Sequence, residues 1–245
     1  MRDVHQTASR DADDRFLANG MRPEQPRPYV FALARVLTEY LLVARQSHDL
    51  APTMAFLHRS IVRSQAGLAA ARIACTEGCW FCCSRWVDVK APEALHIARS
   101  LRGRPEIVAA LVAANEEFGG RSFEQRKRMV TPCPMLADLR CAIYADRPLA
   151  CRSAVSRDAA TCERSYLRTD EPIPRPVVYN IVSRAHSLAL TAGLVRAGLD
   201  HHAYELTGVL RRACSEPDAE RRWLDGEDLF AGIAGGRATC ARTRR

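Results

Sequence analysis

Seven of the chain's ten cysteines fall in two short groups, and they carry most of its chemistry. The first group is Cys75, Cys79, Cys82 and Cys83, and the second is Cys133, Cys141 and Cys151. Thiolates are soft donors suited to Zn(II), Cu(I) and iron–sulfur clusters. Residues 1–27 carry Asp3, Asp11, Asp13, Asp14 and several arginines around no apolar core, so they read as neither signal peptide nor membrane anchor. A reducing cytoplasm is therefore expected, where clustered thiols ligate metal rather than build a disulfide framework.

Spacing limits how the first group acts. On a continuous helix its cysteines would stand at i, i+4, i+7 and i+8, along one face. Gly78 permits a sharper turn that converges three sulfurs instead. Adjacent Cys82 and Cys83 do not aim at one ion from regular helix, so one of them binds a second metal, bridges, or packs behind the ligands. Cysteine used as a small core hydrophobe is the plain alternative, and four at this spacing argue against it. The second group arrives on turns carrying Pro132, Pro134 and Pro148, where a metal would supply the rigidity that a small core does not.

Three motifs together resemble a known family. These are Cys-x3-Cys-x2-Cys-Cys (Cys75, Cys79, Cys82, Cys83), Cys-Pro-x-Leu (Cys133, Pro134, Leu136), and Cys-x-Ile-Tyr-x-x-Arg-Pro-x-x-Cys-Arg (Cys141, Ile143, Tyr144, Arg147, Pro148, Cys151, Arg152). The combination resembles the zinc- or iron-chelating cysteine-cluster family labelled by its Cys-x-x-Cys-x-x-Cys-Cys signature. The resemblance spans about Cys75 to Arg152, and implies a metal site built from the seven motif cysteines. The first spacing is one residue longer here than in that signature, which makes Cys75 the outlying member. A similar cluster occurs in bacterial flagellin lysine methylases, so a protein-modifying enzyme is one alternative function. A zinc-stabilised interaction module with a protein partner on its helices is another. The leading expectation is a metal-binding protein with a redox or metal-handling role.

Seven thiolates exceed the four of one structural zinc site. That surplus and the Cys-Pro step favour an iron–sulfur cluster over a zinc ion. Either leaves a net negative site, which Arg85, Arg147 and Arg152 are placed to offset. Cys162 stays outside the expected ligand set, and Cys214 and Cys240 read as incidental. His96 reads as a core or boundary histidine, His201 and His202 as diverging surface or capping residues, and Trp80 and Phe81 as a shield over the cluster. Cys75, Cys79 and Cys82 share the spacing of radical enzymes that use S-adenosylmethionine, but the strand–helix alternation of those enzymes does not follow. No glycine-rich phosphate loop, Gly-x-Ser-x-Gly elbow or His-Glu-x-x-His helix is present.

The elements that must hold these cysteines read as mainly α, with helices packed around a loop-rich, cysteine-lined metal centre and little β structure. The 245 residues suffice for a genuine core, and the sequence is rich in Ala, Leu and Arg with only 7% aromatics. The expected organisation is a flexible arm over residues 1–28, a helical cysteine-cluster domain over 29–170, C-terminal helices over 171–234 packing on the same core, and a flexible basic tail over 235–245. Apolar periodicity predicts helices at 29–48, 52–74, 92–101, 105–118, 122–129 (basic and exposed), 177–197, 203–214 and 220–230. Residues 86–89 and 143–144 are the strand candidates, and 171–176 a proline-rich linker. A charge of +8 with 36 basic side chains, all arginine but Lys90 and Lys127, raises nucleic-acid binding. The arginines are scattered among acidic neighbours, which argues against it. The most apolar segment, 29–44, is too short to span a bilayer.

Overall fold

The computed structural model describes residues 16, 21–68, 72–76, 78–118, 121–129, 131–168 and 171–235. Most of the expected N-terminal arm and nearly all of the tail, including Cys240, lie outside them. Within the arm, Phe16 packs on Tyr29 and Phe56, and Met21 is buried.

The described chain is mainly helical, with ten α-helices and two small two-stranded sheets. Helix α1 (Pro26–Ser47) and α2 (Ala51–Ala66) come first. A 3-10 turn (Phe81–Ser84), β1 (Asp88–Lys90), α3 (Ala91–Ser100), α4 (Pro105–Phe118) and α5 (Phe123–Lys127) follow. Next stand β2 (Leu136–Ala137), β3 (Arg140–Cys141), α6 (Leu149–Arg152) and α7 (Ala159–Arg168). The chain closes with α8 (Val177–Arg196), β4 (Ala203–Glu205), α9 (Leu206–Ser215) and α10 (Ala219–Leu224). No helix among the described residues is long and apolar enough to cross a membrane.

Helices α1 and α8 form the central pair. Leu33, Leu37 and Leu41 of α1 meet Val182, Ala189, Leu190 and Leu194 of α8 in one buried core. Gly193 lets them approach, since a Cβ there would stand 3.2 Å from Leu37 Cβ. His186 lies buried in this seam. Its Nδ1–H donates to Val182 O at 2.8 Å, so Nε2 is free to accept from the Tyr29 hydroxyl at 3.2 Å. Burial pushes His186 down to about 4, which keeps the ring neutral.

Strand β1 pairs antiparallel with β4, joining Asp88 to Glu205 across a long stretch of sequence. Strands β2 and β3 form a hairpin whose turn residues, Asp138 and Leu139, both take positive φ (49° and 60°). That is the two-residue geometry matching strand twist.

Several expectations need correction. Helix α2 stops at Ala66, not 74, because Gly67 begins a turn and Ala74 N donates instead to Ser156 O at 2.8 Å. The strand in the second cysteine region is Arg140–Cys141 with Leu136–Ala137, and Ile143–Tyr144 is turn. The helix beginning at Leu206 is preceded by strand, not helix, over Ala203–Glu205. Helix α5 is basic as expected, but Arg126 is only 3% exposed. Helix α7 was not foreseen, although Asp158 is its cap and accepts from the backbone N–H of Ala160 and Thr161.

Candidate metal centre

The first cysteine group is not helical throughout. Gly78 takes φ of 83°, a left-handed turn open to glycine, and the chain then tightens into the 3-10 turn carrying Cys82 and Cys83. Cys75 Sγ accepts from Ser156 N at 3.4 Å, fixing its side chain against the segment before α7.

The second group comes to meet the first. Cys133 N donates to Cys83 O, which docks the two chain segments directly. Cys141 ends the β2–β3 hairpin, and Cys151 sits in the short helix α6. Glu93, buried on α3, anchors α6: its carboxylate accepts from Leu149 N at 2.8 Å and Lys90 N at 2.9 Å. The result is one cavity of about 710 Å³ whose wall includes Cys75, Cys79, Cys83, Cys133, Cys141 and Cys151. Cys82 is not among the wall residues, but it is hydrogen bonded to Cys83 and interacts electrostatically with Cys75, Cys79, Cys141 and Cys151. All nine cysteines among the described residues are free thiols.

Burial and mutual repulsion disfavour charge on most of these thiols. Desolvation pushes Cys133 up to about 11 and Cys151 well above its ordinary range, and raises Cys75, Cys79 and Cys141. Cys82 is the exception. The Cys83 thiol donates to it and holds it below the usual thiol range, with the Cys83 proton correspondingly hard to remove. A cation at the cavity centre would reverse this balance, since metal-bound thiols deprotonate outright. The donor set fits soft-metal chelation on these grounds.

Cations surround the cavity. Arg147 stacks over the Tyr144 ring at 3.6 Å and favours ionisation of Cys75, Cys82, Cys141 and Cys151. Arg152 is tied to the carbonyls of Arg147 and Ala145. Arg85 turns to Ser165 of α7, donating to its hydroxyl at 2.6 Å and to its carbonyl. The unforeseen member is Arg126. Its guanidinium lies 3.4 Å over Phe118, on the cavity wall near Cys133, with Nε and Nη1 buried and unpartnered. A buried cation left short of partners is costly unless negative charge faces it. Only burial distinguishes Arg126 from its neighbours, and burial is a tertiary property.

Cys162 is buried on α7 and interacts electrostatically with Cys75 and Cys79. Trp80 packs edge-on to Tyr166 of α7 at 4.8 Å and tilted to Phe81 at 5.2 Å. Neither Trp80 nor Phe81 is on the cavity wall, so they fasten the 3-10 turn to α7. His201 and His202 do not diverge; their rings stack at 5.1 Å, and His202 holds Asp200. Cys214 lies half-buried on α9, away from the cavity wall.

Residues 74–167 match the family model CxxCxxCC, described as "Putative zinc- or iron-chelating domain". The matched stretch contains the seven motif cysteines, Cys162 and Arg126. No curated protein and no solved structure matches the chain.

Proposed function

We propose, from the match of residues 74–167 to the zinc- or iron-chelating CxxCxxCC family model, that this protein holds an iron–sulfur cluster and serves in redox chemistry or metal handling. The observation that carries this reading is the convergence of six thiols from both motif groups on one cavity. Cys75, Cys79, Cys83, Cys133, Cys141 and Cys151 line it, and Cys82, hydrogen bonded to Cys83 and interacting electrostatically with Cys75, Cys79, Cys141 and Cys151, is the seventh ligand or a bridge. One tetrahedral zinc with bonds of 2.3 Å would gather its sulfurs about 3.8 Å apart. Among the described residues, the trio of ligand atoms within 4.8 Å of one another is His58, His96 and Asp146, not three of these sulfurs. A cluster whose ligands bind different irons accepts wider spacing. When bound, it would supply one-electron transfer at a potential set by its charge and hydrogen bonds.

The chain's own residues supply the electrostatics. Arg126 and Arg147 bring positive charge to a site that thiolates make negative, and Ser156 N holds Cys75 in place. Purification under anaerobic conditions, with iron, zinc and sulfide analysis and a visible spectrum, tests the reading. Iron with sulfide and charge-transfer absorption is expected, and Cys133→Ser should lose most of both. A colourless protein with tightly held zinc overturns it in favour of a zinc-stabilised interaction module. A protein-modifying enzyme is the second reading, because about 710 Å³ is the size of a small-molecule pocket. Methyl transfer to candidate proteins, lost in Cys79→Ser, would favour it.

A further inference from the structure

Beside the thiol cavity, three elements bring together a different kind of donor set. His58 of α2, His96 of α3 and Asp146, from the loop between Cys141 and Cys151, each place one ligand-type atom within 4.8 Å of the other two. His96 Nε2 and Asp146 Oδ1 are 2.9 Å apart, and the two imidazole rings meet edge-on at 5.5 Å. His58 Nε2 is buried with no hydrogen-bond partner among the described residues. An unpartnered ring nitrogen costs free energy unless something occupies it. Two imidazoles and one carboxylate contain no sulfur and are borderline donors. They are the set that binds zinc with a position left open, or ferrous iron.

We propose that His58, His96 and Asp146 form a second metal site, for a divalent first-row transition ion such as Zn(II) or Fe(II), separate from the thiol centre. Metal–ligand bonds near 2.0–2.1 Å put tetrahedral ligands about 3.3 Å apart, so the observed spacing needs shifts below or near an ångström. The side chains of His96 and Asp146 are 20% and 29% exposed, which gives an ion a route in and leaves room for water as a further ligand. Arg152 faces the same space and opposes added positive charge. Its guanidinium is held by the carbonyls of Ala145 and Arg147, so it need not enter the site. The single Asp146 carboxylate offsets one of the ion's two charges, so the site would bind more weakly than the thiol centre. Asp146 and Cys151 share one loop, so an ion here would also brace the segment that delivers the thiols.

The test uses the full chain carrying whatever metal it retains on purification, titrated with Co(II) and then Zn(II). One further equivalent is expected, giving cobalt ligand-field bands without sulfur-to-cobalt charge transfer. Two histidine ring signals should shift in nitrogen-correlated NMR as that equivalent of Zn(II) binds. Asp146→Asn keeps side-chain size and should weaken binding of this equivalent by about 100-fold, with His96→Gln behaving alike. His202→Ala serves as control for the exposed histidine pair and should leave binding unchanged. Absence of the extra equivalent, sulfur charge transfer on it, or its loss in His202→Ala each overturns the proposal. Should both ligand variants fail to fold, the wild-type ring signals decide: no shift means no site. Because no thiol takes part, failure here leaves the thiol reading standing, and the reverse holds too.

Discussion

The chemistry of individual residues turns on unequal environments around similar thiols. Cys82 and Cys83 are neighbours in sequence, yet the thiol of Cys83 donates to Cys82, which eases proton loss at Cys82 and hinders it at Cys83. In metal-free reduced protein near neutral pH, the hydrogen bond from Cys83 favours thiolate at Cys82, while burial keeps Cys133 and Cys151 protonated. Cys82 is therefore expected to be alkylated before Cys133 and Cys151, as read by peptide mass spectrometry over a time course. Raising the pH to 9 should narrow the gap, because the other thiols then begin to ionise. Equal modification of all three at pH 7 would contradict the assignment. Arg126 makes the same point for cations. The sequence marks it as one arginine in a basic stretch, and only the fold reveals a buried guanidinium over Phe118 beside Cys133.

At the scale of elements, the site depends on short pieces that have little stability alone. Helix α6 is a single turn, and a helix that short does not persist without tertiary ties. Glu93 provides two, holding Lys90 N at the start of α3 and Leu149 N at the start of α6. Glu93→Ala leaves those buried donors unsatisfied and should cost about 2–3 kcal/mol in chemical denaturation. It should also lower metal retention, because Cys151 and Arg152 ride on α6. A variant with unchanged denaturation midpoint would show that the carboxylate is not the tie. Sequence periodicity found the long helices α1, α4 and α8 because each presents a sustained apolar face. It missed α6, a single turn tied down by the distant Glu93, and α7, although the Asp158 cap of α7 is a local signal.

For the molecule as a whole, the buried α1–α8 seam sets the response to acid. His186 is held at about 4 against 6.5 in the unfolded chain, so the unfolded state binds more protons between those values. Stability is full above about 6.5 and declines as pH falls toward 4, by up to about 3 kcal/mol from this residue. His58, also pushed down to about 4 mainly by burial, acts in the same direction. Urea denaturation across that range should show a falling midpoint. The slope should be shallower in His186→Gln, which has no ring to protonate. A flat midpoint from pH 6.5 to 4 would contradict the buried neutral ring.

Composition and local spacing by themselves determined that this chain is mainly helical and that its cysteine motifs match those of a zinc- or iron-chelating domain family. Helical periodicity is a local signal, and seven cysteines in matching motifs are recognisable without coordinates. Tertiary structure alone decided which thiols share one cavity, and that Arg126 belongs with them. It also decided that His96, a boundary histidine by its sequence pattern, stands with His58 and Asp146 from two other elements. The reason is that ligand geometry and burial are set by chain segments separated by dozens of residues. Gly78's turn, the Cys133–Cys83 backbone bond and the β1–β4 pairing bring those segments together, and no window of local sequence contains both partners.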